Sequence, residues 1–249
     1  MMLVLRDHLG RAVLALEAML AFSSVVSAQA AAQSGAAKAQ IAAPAPDLSG
    51  TWMQRRYLIT FDPNPPLQPW AETKFKAVKS GWGPNESVHA NDPAVNNCFP
   101  PGVPRIFLFG YPMEIIQIPG RVIMLFEYDH YVRQIYTDGR EHNKDLPPLW
   151  MGDSIGKWEG DTLVVDTIGF NDKTWLDQVG HPHSDALHVV ERIRRVDHNT
   201  LQDDLTIDDP KAYTKPWTGQ ELFMLEPDWN IMEFICEDAL NKTTTEPSK

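Results

Sequence analysis

The stretch MEIIQIPGRVIMLFEYD, residues 113–129, decides the fold class. Two runs dense in Ile, Val, Leu and Phe flank Pro119-Gly120. Proline fixes φ at the first turn position and glycine tolerates positive φ at the next, so the runs fold back on each other as a hairpin. The pattern recurs downstream. YVRQIYTDG (131–139) ends in an Asp-Gly turn signal, and DSIGKWEGDTLVVDTIGF (153–170) turns at Glu159-Gly160-Asp161. LHVVERIRRVD (187–197) and LQDDLTID (201–208) flank His198-Asn199, and ELFMLEPDWNIMEFICE (221–237) reads as a last pair of strands. Short strands, tight turns and few long helical periods predict an all-β fold. The expected form is an antiparallel β-meander closed as a barrel, with a β-sandwich as the other arrangement.

Upstream the chain changes character. Arg6, His8 and Arg11 precede an apolar run, AVLALEAMLAFSSVVSA (12–28), that gives way to small residues. This is the pattern of a secretory signal peptide, placed at residues 1–30, with cleavage after Ala28 or Ala30. The run is shorter than the roughly 20 apolar residues a membrane span needs, so no span is expected after cleavage. Residues 31–46, rich in Ala, Gln and Pro, read as a disordered linker, and 47–249 as a single β-rich domain. That domain opens with a loop-rich extension through residue 104, in which PWAETKFKAVKSG (69–81) carries a short helical period.

The formal net charge is −11 and no Lys/Arg cluster is large enough to follow a phosphate backbone, which argues against nucleic acid as a partner. In an exported chain two cysteines favour a disulfide, here Cys98 with Cys236. The expected location is periplasmic or secreted.

Gly50-Thr51-Trp52 at the start of the meander resembles the GxW opening of lipocalin-like barrels. A longer match covers Tyr136 to Trp217. There GDSIGKWEGDTLVVDTIGFNDKTWLD, GHPHSDALHVVERIRR and TIDDPKAYTKPW resemble a large uncharacterised family of exported bacterial proteins. These resemblances imply export and a β-rich barrel, and they assign no catalytic residue.

Strand alternation sorts the polar side chains. Glu191 falls on the row of Leu187, Val189 and Ile193, Glu127 on that of Ile123 and Leu125, and Glu233 on that of Trp229, Ile231 and Ile235. Carboxylates in apolar rows are costly unless they line a polar pocket or are paired, with Arg133, Arg192 or Lys157 as possible partners. In a pocket, Glu127 and Glu191 would serve as acid and base. The loop TWLDQVGHPHSDALH (174–188) adds His181 and His183, with Asp177 or Asp185 to orient one of them over the pocket mouth. The H-x-H spacing also suits a metal, but Pro182 between the histidines makes the segment a turn, and no metal or cofactor is assigned. Arg133, Tyr136, Trp175 and Glu233 complete the set as substrate-binding candidates. Two functions follow: an acid/base lyase, isomerase or hydrolase acting on a small aromatic or hydrophobic substrate, or a non-catalytic carrier or sensor of one. Oligomeric state is not legible in the sequence.

Overall fold

A computed structural model describes residues 46–245. The expected signal peptide (1–30) and the expected linker (31–46), apart from Pro46, lie outside the described residues. Nine strands form a closed barrel in chain order. They are β1 (Gly50–Gln54), β2 (Met113–Ile118), β3 (Arg121–Phe126), β4 (Val132–Tyr136), β5 (Asp153–Glu159), β6 (Thr162–Ile168), β7 (His188–Asp197), β8 (Thr200–Asp208) and β9 (Trp217–Leu225). The Pro119-Gly120 hairpin forms as read, with Gly120 at φ 76°. Helices are few: α1 (Pro69–Ala77), α2 (Pro93–Asn96) and α3 (Cys236–Thr245). None of the described helices is long and apolar enough to cross a membrane.

The barrel is mixed rather than wholly antiparallel, because β4 and β5 pair in parallel. The reason is parity. Strand direction reverses at every antiparallel seam, and a closed ring must return to its starting direction, so the number of such seams is even. Nine seams therefore leave one that is parallel. A parallel pair cannot be joined by a tight turn and needs a long crossover. Residues 137–152 provide it.

The ring closes where β1 pairs with both β2 and β9. Its interior is packed with alternate side chains: Trp52, Met124, Ile135, Leu163, Val165, Val189, Ile193 and Leu205 are all almost fully buried. Trp52 also satisfies its indole, donating from Nε1 to Leu48 O at 3.0 Å.

Residues 226–235, expected as a strand, are irregular, with only a bridge at Phe234. β9 already has both neighbours, so its edges offer no further ladder, and Pro227 interrupts the run. This segment instead forms a strap to Cys236. The strap is held by Glu226 N–H to Thr51 O (2.8 Å) and Asp129 N–H to Phe234 O (3.0 Å).

The N-terminal extension is pinned to the long β6–β7 loop. Thr60 Oγ1 donates to Asp177 Oδ2 at 2.7 Å, Tyr57 Oη to Gln178 Oε1 at 2.9 Å, and Gln178 N–H to Ile59 O at 3.0 Å. Arg105, fully buried, pairs with Asp92 and lies against the rings of Phe109 and Trp175. The disulfide Cys98–Cys236 forms, joining residues 138 apart in sequence. A cross-link over so long a loop restricts the unfolded chain by about 4–5 kcal/mol in the chain-entropy model. Replacing both cysteines with serine is expected to lower unfolding stability by a large part of that amount, measured by guanidinium titration against the oxidised chain.

Candidate functional site

Alternation along β7 places Glu191 inside the barrel, fully buried, as its apolar row implies. Arg133 reaches it from β4. The guanidinium donates from Nη1 to Glu191 Oε1 at 2.8 Å and from Nη2 to Oε2, from Nε to Ser154 Oγ at 3.2 Å, and from Nη2 to Thr167 Oγ1 at 3.0 Å. One side chain on β4 thus binds β5, β6 and β7 together. Of the five N–H donors of an arginine, one on Nη1 stays uncommitted.

Two further interior carboxyls accompany this pair. Asp203 on β8 is buried beside Glu191, and neither of its oxygens meets an N–H or O–H donor. Burial, then the Glu191 charge, push its pKa well above the usual carboxylate value, which favours its protonated form. Glu221 on β9 sits opposite Asp203 in register. It accepts from Leu222 N–H at 3.2 Å and Gln54 Nε2 at 3.4 Å, and burial raises its pKa to about 7. Both were missed in the sequence, although the rule that found Glu191 reaches them. Asp203 alternates with Leu201, Leu205 and Ile207, and Glu221 with Trp217 and Phe223.

Beside Arg133 the barrel opens. The parallel seam is paired only at Ile135↔Ser154 and Tyr136↔Ile155. Between it and the crossover lies a cavity of about 370 Å³, whose lining includes Arg133, Tyr136, Arg140, Leu149, Asp153 and Ser154. Tyr136 is capped by Arg140, 3.7 Å from its ring centroid, with Arg121 at 5.3 Å. From Asp153, which lines the cavity, a chain of four side chains leads away across β5 and β6. His142 Nδ1 lies 2.9 Å from Asp153 Oδ2, His142 Nε2 lies 2.9 Å from Asp166 Oδ1, and His188 Nε2 lies 3.0 Å from Asp166 Oδ2. Carboxylates only accept, so both His142 contacts are hydrogen bonds only while both ring nitrogens carry protons. On losing one proton, the ring sets a lone pair against a carboxylate. The sequence offered little to find this group, since the crossover, β5 and its turn into β6 separate His142 from Asp166.

The β6–β7 loop is built differently from its sequence expectation. Asp177, fully buried, accepts through Oδ1 from the N–H groups of Val179, Gly180 and His181 at 3.0–3.2 Å, and its Oδ2 lies 2.5 Å from His181 Nδ1. Asp177 does orient His181, as read, but the ring is buried and stacked on Phe75 at 4.3 Å, and its Nε2 has no partner. His183 takes different partners: Nδ1 faces Ser184 O at 3.1 Å and Nε2 faces Thr174 Oγ1 at 2.9 Å. Burial holds its pKa below the usual histidine range, so it is neutral, donating to the carbonyl and accepting from the threonine. The two imidazoles therefore do not converge. Among the described residues no group of three or more His, Cys, Asp or Glu side chains is arranged to hold a metal ion. Asp185 is exposed and pairs with Lys211 at 2.6 Å. Trp175 packs on Arg105.

Glu127 and Glu233 do not join Glu191. The interior face of β3 is Val122, Met124 and Phe126, so Glu127, on the alternate row, is buried outside the barrel beneath the strap. Glu233 is exposed on the irregular strap, without the strand face expected for it. Arg133 and Tyr136 do meet at the seam cavity, and Glu191 stands behind them.

A scan of family models finds none that matches this chain, and a search of curated proteins finds none either. A closed barrel is compatible with the barrel resemblance, and the motif resemblance stands on its residues alone.

The raised carboxyls have a consequence for stability. Folded Glu221 holds its proton up to about pH 7, whereas its reference value is 4.5. Its contribution is therefore full below about pH 4.5, falls as pH rises toward 7, and is lost above. Glu221→Gln is expected to remove this fall. Relative to the native chain it gains on the order of 2 kcal/mol between pH 5 and pH 8 in urea titrations, with Asp203 leaving a residual slope of the same sign.

Proposed function

We propose that this chain is an exported protein that binds a small, partly apolar organic molecule at the β4/β5 seam and exchanges a proton with it. The observation that carries this reading is His142, held at 2.9 Å between two carboxylates, one of which, Asp153, lines the seam cavity. An imidazole so oriented is a general acid in its doubly protonated form and a base after one proton leaves. Asp153 and Asp166 fix the ring, and His188 steadies Asp166 from the far side. Leu146, Leu149 and Met151 supply an apolar wall for the ligand body, and Arg140 with the free Nη1 proton of Arg133 suits an oxygen-bearing group. The reaction class is that of a lyase, isomerase or hydrolase. Export is supported by the N-terminal apolar run and by the disulfide, a bond of oxidising compartments.

Native mass spectrometry of the purified chain tests the reading by identifying a retained small molecule, which then serves as the assay compound. Turnover that falls about a hundredfold in His142→Gln, with the bound mass retained, is the expected result. Turnover unchanged by that substitution contradicts the acid/base role. A retained compound that the native chain never alters favours the carrier.

A further inference from the structure

Glu127 sits where its charge has no counterpart. It is 7% exposed, and it enters no ion pair among the described residues. Its Oε2 accepts a hydrogen bond from Met232 N–H at 2.8 Å, while Oε1 takes no protein donor among the described residues and is not sealed from the cavity beside it. A buried carboxylate satisfied by one neutral N–H is costly, and the usual compensation is a cation. The surroundings provide room for one. Glu127 lies at a cavity of about 400 Å³ lined with Pro112, Trp229, Asn230 and Met232. Trp229 is 48% and Met232 70% exposed, an unusual pair of large apolar side chains to leave in water. Tyr111, whose phenol is pushed up by burial and then by the Glu127 charge, stacks near Phe234 on the same strap.

From these residues we infer a second ligand site, between β3 and the C-terminal strap, for a small organic cation: an ammonium head carried on an apolar body. The head group meets Glu127 Oε1. The indole face of Trp229 suits the same positive charge, because ring quadrupoles attract cations, and the flexible thioether of Met232 adapts to the body. Charge complementarity selects the ligand class, since an anion would face Glu127 and a neutral apolar molecule would leave it uncompensated. The site is separate from the seam, so its ligand need not be the molecule bound beside His142.

Isothermal titration of the full chain with benzyltrimethylammonium tests the inference, with benzyl alcohol as the neutral counterpart. The expected result is one-to-one binding of the cation, with benzyl alcohol weaker by about tenfold or more. Glu127→Gln keeps an acceptor for Met232 N–H and is expected to weaken cation binding by about tenfold or more. Trp229→Ala, at a half-exposed position whose hydrogen bonds run through its backbone, is expected to weaken it severalfold, and it decides the matter should Glu127→Gln fail to fold. Equal binding of the two compounds, cation binding unaltered in these variants, or no cation binding at all overturns the site.

Discussion

The structure depends on one buried ion pair, Arg133 with Glu191. The β4/β5 ladder has only two register pairs. At about 0.5–1.5 kcal/mol net for each hydrogen bond, so short a ladder holds the two strands weakly, and removing either partner of the buried pair beside it would cost about 3–5 kcal/mol by leaving the other charge unpaired. The guanidinium therefore does what the backbone does elsewhere in the ring. Its bonds to Ser154, Thr167 and Glu191 join β4 to the three strands that follow. The same pair bears on Asp203: burial first, then the Glu191 charge, raise its pKa, with Arg133 pulling the other way.

The weakness at this seam follows from geometry. An odd ring must contain a parallel pair, a parallel pair needs a crossover, and the crossover leaves space beneath itself. That space is the seam cavity, and the crossover delivers His142 beside it, where Asp153 from β5, itself in the cavity lining, and Asp166 from β6 receive it. Constraint, cavity and the His142 cluster arise together from the strand count. The second proposed site has a similar origin, because the strap that follows β9 has no ladder left to join and shelters Glu127 instead.

Much of this was legible in the sequence, and the failures have physical causes. Hairpins with strong turn signals, such as Pro119-Gly120, were readable because turn chemistry is local. Glu191 was readable because a period of two sorts inside from outside, and Asp203 and Glu221 lay within reach of the same rule. Glu127 and Glu233 were misplaced for different reasons. Glu127 lies just past the end of β3, where the row it continues faces outward, and Glu233 lies where Pro227 and the lack of a free edge prevent a strand. The parallel seam and the His142 chain were beyond local reading, since both depend on how many strands close the ring. His181 and His183 are both buried, His181 between Asp177 and the Phe75 ring of α1 and His183 between Ser184 and Thr174, so the H-x-H spacing does not bring them together.

The most direct test of this account is amide hydrogen exchange in the Arg133→Met chain. If the side chain closes the seam, exchange accelerates at Ile135, Tyr136, Ser154 and Ile155, while the long β7–β8 ladder keeps its protection. Uniform acceleration around the ring, or none at the seam, would contradict the claim that Arg133 substitutes for backbone pairing there.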